Sequence, residues 1–210
     1  MNDVHHDIIL KIVIVGDSFV GKTNMLLRYT ENTFEDDHKP TIGMDFISKQ
    51  IVVGNYTVKV QFWDTAGQEK YRAIAGSYYK IANGVLLAYD VTPLDTFKKT
   101  QLRMQDVTQH APPEVRIILV GNKKDLIAQR QVTTDQGRAF AEENNLFFCE
   151  TSALTNEDNS VVKAFAIIIE ECLEDVVKAD ELDDERAIML DRHNEDVAKP
   201  AVKKGGDCCG

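Results

Sequence analysis

The run Gly16-Asp17-Ser18-Phe19-Val20-Gly21-Lys22-Thr23 constrains the fold more than any other stretch of the chain. It fits G-x-x-x-x-G-K-[ST], directly after an apolar, β-branched run (Ile8–Val15) and at the start of an amphipathic one (Gly21–Thr30). A strand that ends in such a loop and continues as a helix aims successive backbone N–H groups, and the helix N-terminus, at one point. That geometry wraps a phosphate. Lys22 is then placed to reach the β- and γ-phosphates, and the Thr23 hydroxyl to ligate Mg²⁺. Ser18, Val20, Gly21 and Asn24 complete the expected nucleotide contacts of this segment. A glycine turn with a chance lysine would lack the strand before it and the helix after it, so the loop reads as a nucleoside triphosphate site.

The rest of the chain alternates in the same way. Met44–Val53 and Tyr56–Trp63 flank the turn pair Gly54-Asn55 and predict an antiparallel hairpin. Val85–Tyr89, Arg116–Val120 and Leu146–Glu150 read as short buried strands, with helices at Leu94–His110, Thr134–Asn144 and Ser160–Val177. Strand–helix alternation predicts an α/β sheet, mostly parallel, with one antiparallel strand. Beyond about Lys178 the apolar period fades, which reads as a flexible tail.

Charge divides the chain too. Its 210 residues carry a formal net charge of −10, but residues 170–196 alone hold 12 acidic and 3 basic side chains. The balance disfavours nucleic-acid binding, which needs a basic footprint. It also weakens purely electrostatic attraction to an anionic membrane. The four cysteines are too few and too unevenly placed for a disulfide framework, and no leader or membrane-spanning run is evident, so a reducing intracellular setting is expected.

Three further motifs choose the nucleotide and the chemistry. Asp64-Thr65-Ala66-Gly67-Gln68 closes the second hairpin strand. Asp64 there suits the outer coordination shell of Mg²⁺, acting through water. The Gly67 N–H can follow a γ-phosphate closely, and Gln68 suits the orienting of a water. Asn122-Lys123-Lys124-Asp125 ends the strand Arg116–Val120. Asp125 can accept from both N1–H and the exocyclic amine of guanine, a donor pair that adenine lacks. In Glu150-Thr151-Ser152-Ala153-Leu154, the Ala153 N–H would face guanine O6, with Ser152 and Leu154 beside it.

With these motifs in this order, residues 7–177 resemble the Ras-superfamily small GTPases, and among them the Rab family. Rab-like stretches are Ile42–Phe46, Val60–Asp64, Gln68–Arg72, Tyr78–Lys80 and Tyr89–Thr92. The resemblance implies a P-loop NTPase G domain: a six-stranded, mostly parallel sheet flanked by about five helices, after a flexible N-terminus at 1–6. It implies that Thr41 ligates Mg²⁺ and senses the γ-phosphate, and that Phe34 lies across the guanine ring. Phe46, Trp63 and Tyr78 match an aromatic triad shown to effectors, although rings on a hairpin serve core packing equally well.

The implied activity is a slow GTP hydrolase that binds GTP and GDP with Mg²⁺ and cycles as a switch, with Gln68, Lys22 and Thr41 as its catalytic residues. Expected partners are an exchange factor, a GTPase-activating protein, a GDP-dissociation inhibitor and effectors, with the chain itself a monomer. Cys208 and Cys209, near the end of the 178–210 tail, resemble a paired-cysteine prenylation site. That would place the protein on the cytoplasmic face of an intracellular membrane, exchanging with cytosol, in vesicle traffic. Two departures from the family stand out: Phe19, where a small residue is usual, and Ile81-Ala82-Asn83. Phe19 keeps open a nucleotide-stabilised interaction module with negligible turnover. A P-loop ATPase or kinase is disfavoured by Asn122–Asp125.

Overall fold

The computed structural model describes residues 8–36, 41, 43–67 and 72–197. Six strands form one sheet in the order β2-β3-β1-β4-β5-β6. These are β1 (Ile8–Gly16), β2 (Met44–Val53), β3 (Tyr56–Thr65), β4 (Gly84–Asp90), β5 (Arg116–Asn122) and β6 (Phe147–Glu150). The helices are α1 (Lys22–Glu31), α2 (Arg72–Tyr79), α3 (Leu94–Lys98), α4 (Thr100–His110), α5 (Thr134–Glu143) and α6 (Ser160–Val197). All strand pairs are parallel except β2–β3.

The order follows from the sequence of each strand. β1 from Ile12 and the whole of β4 are buried without interruption, as central parallel strands covered on both faces must be. Along β2 exposed and half-buried residues mix, as suits an edge. The β2–β3 hairpin pairs Val53 with Tyr56, and Gly54 takes φ 58° in the two-residue turn, a conformation glycine adopts without strain. Successive β1 residues point to opposite faces. Val13 and Val15 join Val85, Leu87 and Tyr89 in a cluster with Tyr79 of α2, Val107 of α4 and Ala141 of α5. Elsewhere Phe165 of α6 stacks on Tyr29 of α1 (ring centroids 4.4 Å apart) and meets Phe62 of β3 edge to face. A Cβ on Gly84 would stand 2.7 Å from Cys172 Sγ, so a side chain there would lift α6 off β4.

Three elements depart from the sequence reading. α2, over Arg72–Tyr79, is a helix that the apolar pattern does not signal. The helix expected over Leu94–His110 is divided at Lys99, where the Thr100 hydroxyl takes the Phe97 carbonyl at 2.5 Å and competes with the helical ladder. The last helix, expected to end at Val177, continues to Val197. Loss of an apolar stripe removes a reason to pack, not a reason to be helical: Ser160–Val197 contains no glycine or proline, and Lys178 pairs with Glu174 one turn back. By its contacts the chain divides after Leu173 into two units, of which the second is described as helix to Val197.

Candidate nucleotide site

The site lies where the parallel strands end, around β1, which has neighbours on both sides. That is the switch point at which doubly wound sheets hold ligands. The β1–α1 loop is held close by its glycines. A Cβ on Gly16 would come 2.4 Å from the Ala88 carbonyl, and one on Gly21 would come 2.3 Å from Asn122 Nδ2. Gly21, at φ 94°, precedes α1 without offering a side-chain cap, and the first turn holds no acid. The N–H groups that open this helix therefore meet no capping side chain and no acid of that turn. They face a cavity of about 480 Å³.

Lys22 lies almost wholly inside, its Nζ donating to the carbonyls of Gly16 (3.0 Å) and Asp17 (2.8 Å). Burial pushes its pKa down to about 8, against the opposing pull of Asp64. One residue on, the Thr23 hydroxyl donates to Asp64 Oδ2 at 2.5 Å and lies 3.0 Å from the Thr41 hydroxyl. Asp64 is 1% exposed, and its other oxygen, Oδ1, has no hydrogen-bond partner among the described residues. Burial pushes the Asp64 carboxyl up; the Thr23 hydrogen bond and the Lys22 charge pull it down. An unpartnered buried carboxylate oxygen beside two hydroxyls is the donor set a small hard cation prefers, so Mg²⁺ fits this corner.

The far side of the cavity is braced by Asn122. Its Nδ2 donates to the Val20 carbonyl (2.8 Å), and its Oδ1 accepts from Thr151 Oγ1 (3.0 Å) and the Ala153 N–H (3.3 Å). One buried side chain thus ties together the loops after β1, β5 and β6. Arg28 of α1 adds to this by donating to the carbonyls of Ala153 (2.8 Å) and Leu154 (3.1 Å). Lys123, at φ 64°, pairs with Asp90 at 2.7 Å. Asp125, Phe34 and Leu154 line the same cavity.

Most residues chosen from the sequence meet here. Ser18, Gly21, Lys22, Thr23 and Asn24 line the cavity from the first motif. Thr41 and Gly67 line it from the segments flanking the hairpin, and Asn122, Lys123, Asp125, Ala153 and Leu154 from the end of β5 and the loops after β5 and β6. Val20 and Ser152 are fully buried behind the wall, where the Ser152 hydroxyl accepts from the Thr155 N–H. The Asn24 amide is taken up by both backbone groups of Glu35, at 2.9 and 2.8 Å, which seats the strand of chain carrying Phe34. Gln68, Cys208 and Cys209 lie outside the described residues. Phe46, Trp63 and Tyr78 form one stack, centroids 4.7 and 4.8 Å apart; Trp63 and Tyr78 pack on the core cluster, while Phe46 is 45% exposed.

Sequence reasoning missed Asp17, Lys99 and Arg103. Both cations contact the Asp17 carboxylate, at 2.9 Å each, and Arg103 also donates to the Gly67 carbonyl at 2.8 Å. Four-residue spacing put Lys99 and Arg103 on one helix face, but nothing local named their partner. Arg28 was missed for the same reason.

Comparison with known proteins agrees with this geometry. The Ras family model matches residues 11–174. The chain is 43% identical over 211 residues to "Ras-related protein RIC2" of Oryza sativa subsp. japonica, covering 98% of this chain and 95% of that one. It is 42% identical to "Ras-related protein RABA1c" of Arabidopsis thaliana (99% and 96% covered), and 45% identical over 166 residues to "GTP-binding protein ypt3" of Schizosaccharomyces pombe (79% and 77%). The chain belongs to the Ras family of small GTPases, on its Rab branch.

Proposed function

We propose that this protein binds GTP and GDP with Mg²⁺, hydrolyses GTP, and serves as a Rab-type switch in vesicle traffic. The observation that carries this is a single cavity joining the uncapped start of α1, with Lys22 and Thr23, to Asp125 on the base side. In this reading Ser18, Val20, Gly21 and Asn24 shape the phosphate loop. Asn122, Lys123, Asp125, Ser152, Ala153 and Leu154 form the guanine end, and Phe34 covers the ring. Thr23, Thr41 and, through water, Asp64 would hold Mg²⁺, which supplies positive charge against the phosphates when bound. Thr41 and Gly67 read the γ-phosphate, and Gln68 orients the attacking water.

Hydrolysis is slow unless an activating protein supplies further positive charge, typically worth about 10³–10⁵ in rate. An exchange factor, a GDP-dissociation inhibitor and effectors complete the cycle, the effectors meeting Phe46, Trp63 and Tyr78. Extraction of the purified protein should yield one guanine nucleotide per chain, and loaded GTP should release phosphate faster with an activating protein. Adenine nucleotide in the extract would overturn the guanine reading. GTP that stays intact under both conditions would leave an interaction module.

The same reading gives Cys208 and Cys209 prenyl groups that anchor the chain to the cytoplasmic face of a membrane, from which it cycles to cytosol. Two lipids are favoured because one chain gives only marginal attachment. No described helix is long and apolar enough to cross a membrane. Replacing both cysteines by serine should move the protein to the soluble fraction of cells; retention on membranes would refute the anchor.

A further inference from the structure

Asp17, the second residue of the phosphate loop, is the meeting point of three parts of the fold. Its Oδ2 accepts from Lys99 Nζ and its Oδ1 from Arg103, each at 2.9 Å. The side chains of Asp17 and Arg103 are both 14% exposed, so this is no loose surface pair. Burial alone would raise the Asp17 carboxyl; the hydrogen bonds from Lys99 and Arg103 outweigh it and hold the group below the ordinary carboxylate value.

The Arg103 nitrogen that binds Asp17 also donates to the Gly67 carbonyl at 2.8 Å. Gly67 is pressed onto the same loop: a Cβ there would stand 2.2 Å from the Ser18 nitrogen and 2.3 Å from the Asp17 carbonyl carbon. One guanidinium on α4 therefore bridges the phosphate loop and the segment that follows β3, and every partner atom belongs to the chain.

We propose that Arg103, supported by Lys99 through Asp17, is a positioning residue that latches Gly67 against the phosphate loop, so that the contact to the terminal phosphate is set up by the protein before GTP arrives. This rests on the reading of the cavity as a GTP site. The consequence is selective. A ligand that needs Gly67 in place benefits from the latch, because ordering that segment no longer opposes its binding; a ligand that ends at the β-phosphate does not. An ion pair that only stabilised the fold would affect both ligands alike.

The test uses the full chain loaded in turn with fluorescent GDP and a fluorescent non-hydrolysable GTP analogue, with single-turnover phosphate release measured alongside. Arg103→Met removes both hydrogen bonds. It should speed dissociation of the GTP analogue about five- to tenfold while changing GDP dissociation less than twofold, the factor expected for loss of charge-assisted hydrogen bonds near the site. Hydrolysis should slow by a similar factor. Arg103→Lys, which keeps the charge but reaches less far than the one guanidinium nitrogen that makes both bonds, should fall between. Equal changes for the two nucleotides would overturn the latch. So would an unchanged ratio in Arg103→Lys, which decides the matter if Arg103→Met fails to fold. Failure of the unsubstituted protein to bind guanine nucleotides would instead refute the reading of the site.

Discussion

The two ends of the cavity are built on different terms. At the base end, Asn122 alone makes three hydrogen bonds that join the loops after β1, β5 and β6, and Arg28 holds two carbonyls of the last loop. At the phosphate end, Thr41 meets the site through one hydroxyl contact with Thr23, and Gly67 through Arg103 and the close approach to Asp17 and Ser18. Meanwhile, among the described residues, Asp64 Oδ1 has no hydrogen-bond partner and the start of α1 is uncapped. A surface complete without a ligand can select one by shape and hydrogen bonding. A surface with unpartnered groups gains most when the ligand arrives, and so can report on which ligand it is.

The strongest way to break this contrast is to remove the brace. Asn122→Ala would leave the buried Val20 carbonyl and the Thr151 hydroxyl without this partner. Loss of that network should cost about 2–3 kcal/mol of stability. Guanine nucleotide dissociation should speed up roughly 100-fold, since the same side chain positions all three loops. Denaturant unfolding of the nucleotide-free chain and stopped-flow release of fluorescent GDP measure the two effects. An off-rate within threefold of the parent would show that the base end is not braced by Asn122.

The phosphate end can be probed with pH alone. Burial pushes the Lys22 pKa down to about 8, against an ordinary value of 10.5. Between these values the unfolded chain binds more protons than the folded one, so this residue makes the empty protein more stable as pH rises through that window. Binding has the opposite sign. A phosphate favours the ammonium, so above pH 8 the ligand must bring a proton with it, and affinity should fall by up to about tenfold per pH unit. Titration of GDP at pH 7, 8 and 9 should show it. A Lys22→Met chain should bind more weakly at every pH and lose most of that slope. Equal affinities of the parent at pH 7 and 9 would remove Lys22 from the phosphates.

How much of this could be read in advance depended on range. The observed strand bounds fall within two residues of the expected ones, because a buried β-branched run and a two-residue turn are local signals. Most residues lining the cavity were legible for a related reason: they sit in short motifs at the ends of single strands. What holds those residues in place was not. Arg103 and Asp17 are 86 positions apart, and Arg28 and Ala153 are 125 apart. Nor did the residue type of Asn24 reveal that its amide pairs with the backbone of Glu35. The extent of α6 was misjudged because amphipathic period was used as the sign of a helix, and past Val177 the helix has propensity without that period.

The smallest effect concerns the residue that departs most visibly from the family. Phe19 sits at φ 65° with 61% of its surface exposed. The left-handed region costs a bulky residue about 1–2 kcal/mol, and so open a side chain recovers little by packing. Phe19→Gly relieves that strain but adds freedom to the unfolded chain, worth about 0.5–1 kcal/mol in the other direction. The balance should be a gain of about 0.5–1 kcal/mol, seen as a rise of roughly 1–4 °C in the melting temperature of the nucleotide-free protein. Because Asn122 holds the next residue, the other end of the cavity should be untouched and GDP release should change less than twofold. A fall in melting temperature would mean that the ring itself helps hold the phosphate loop. The contrast between the two ends would then narrow, with the phosphate end carrying an aromatic brace of its own.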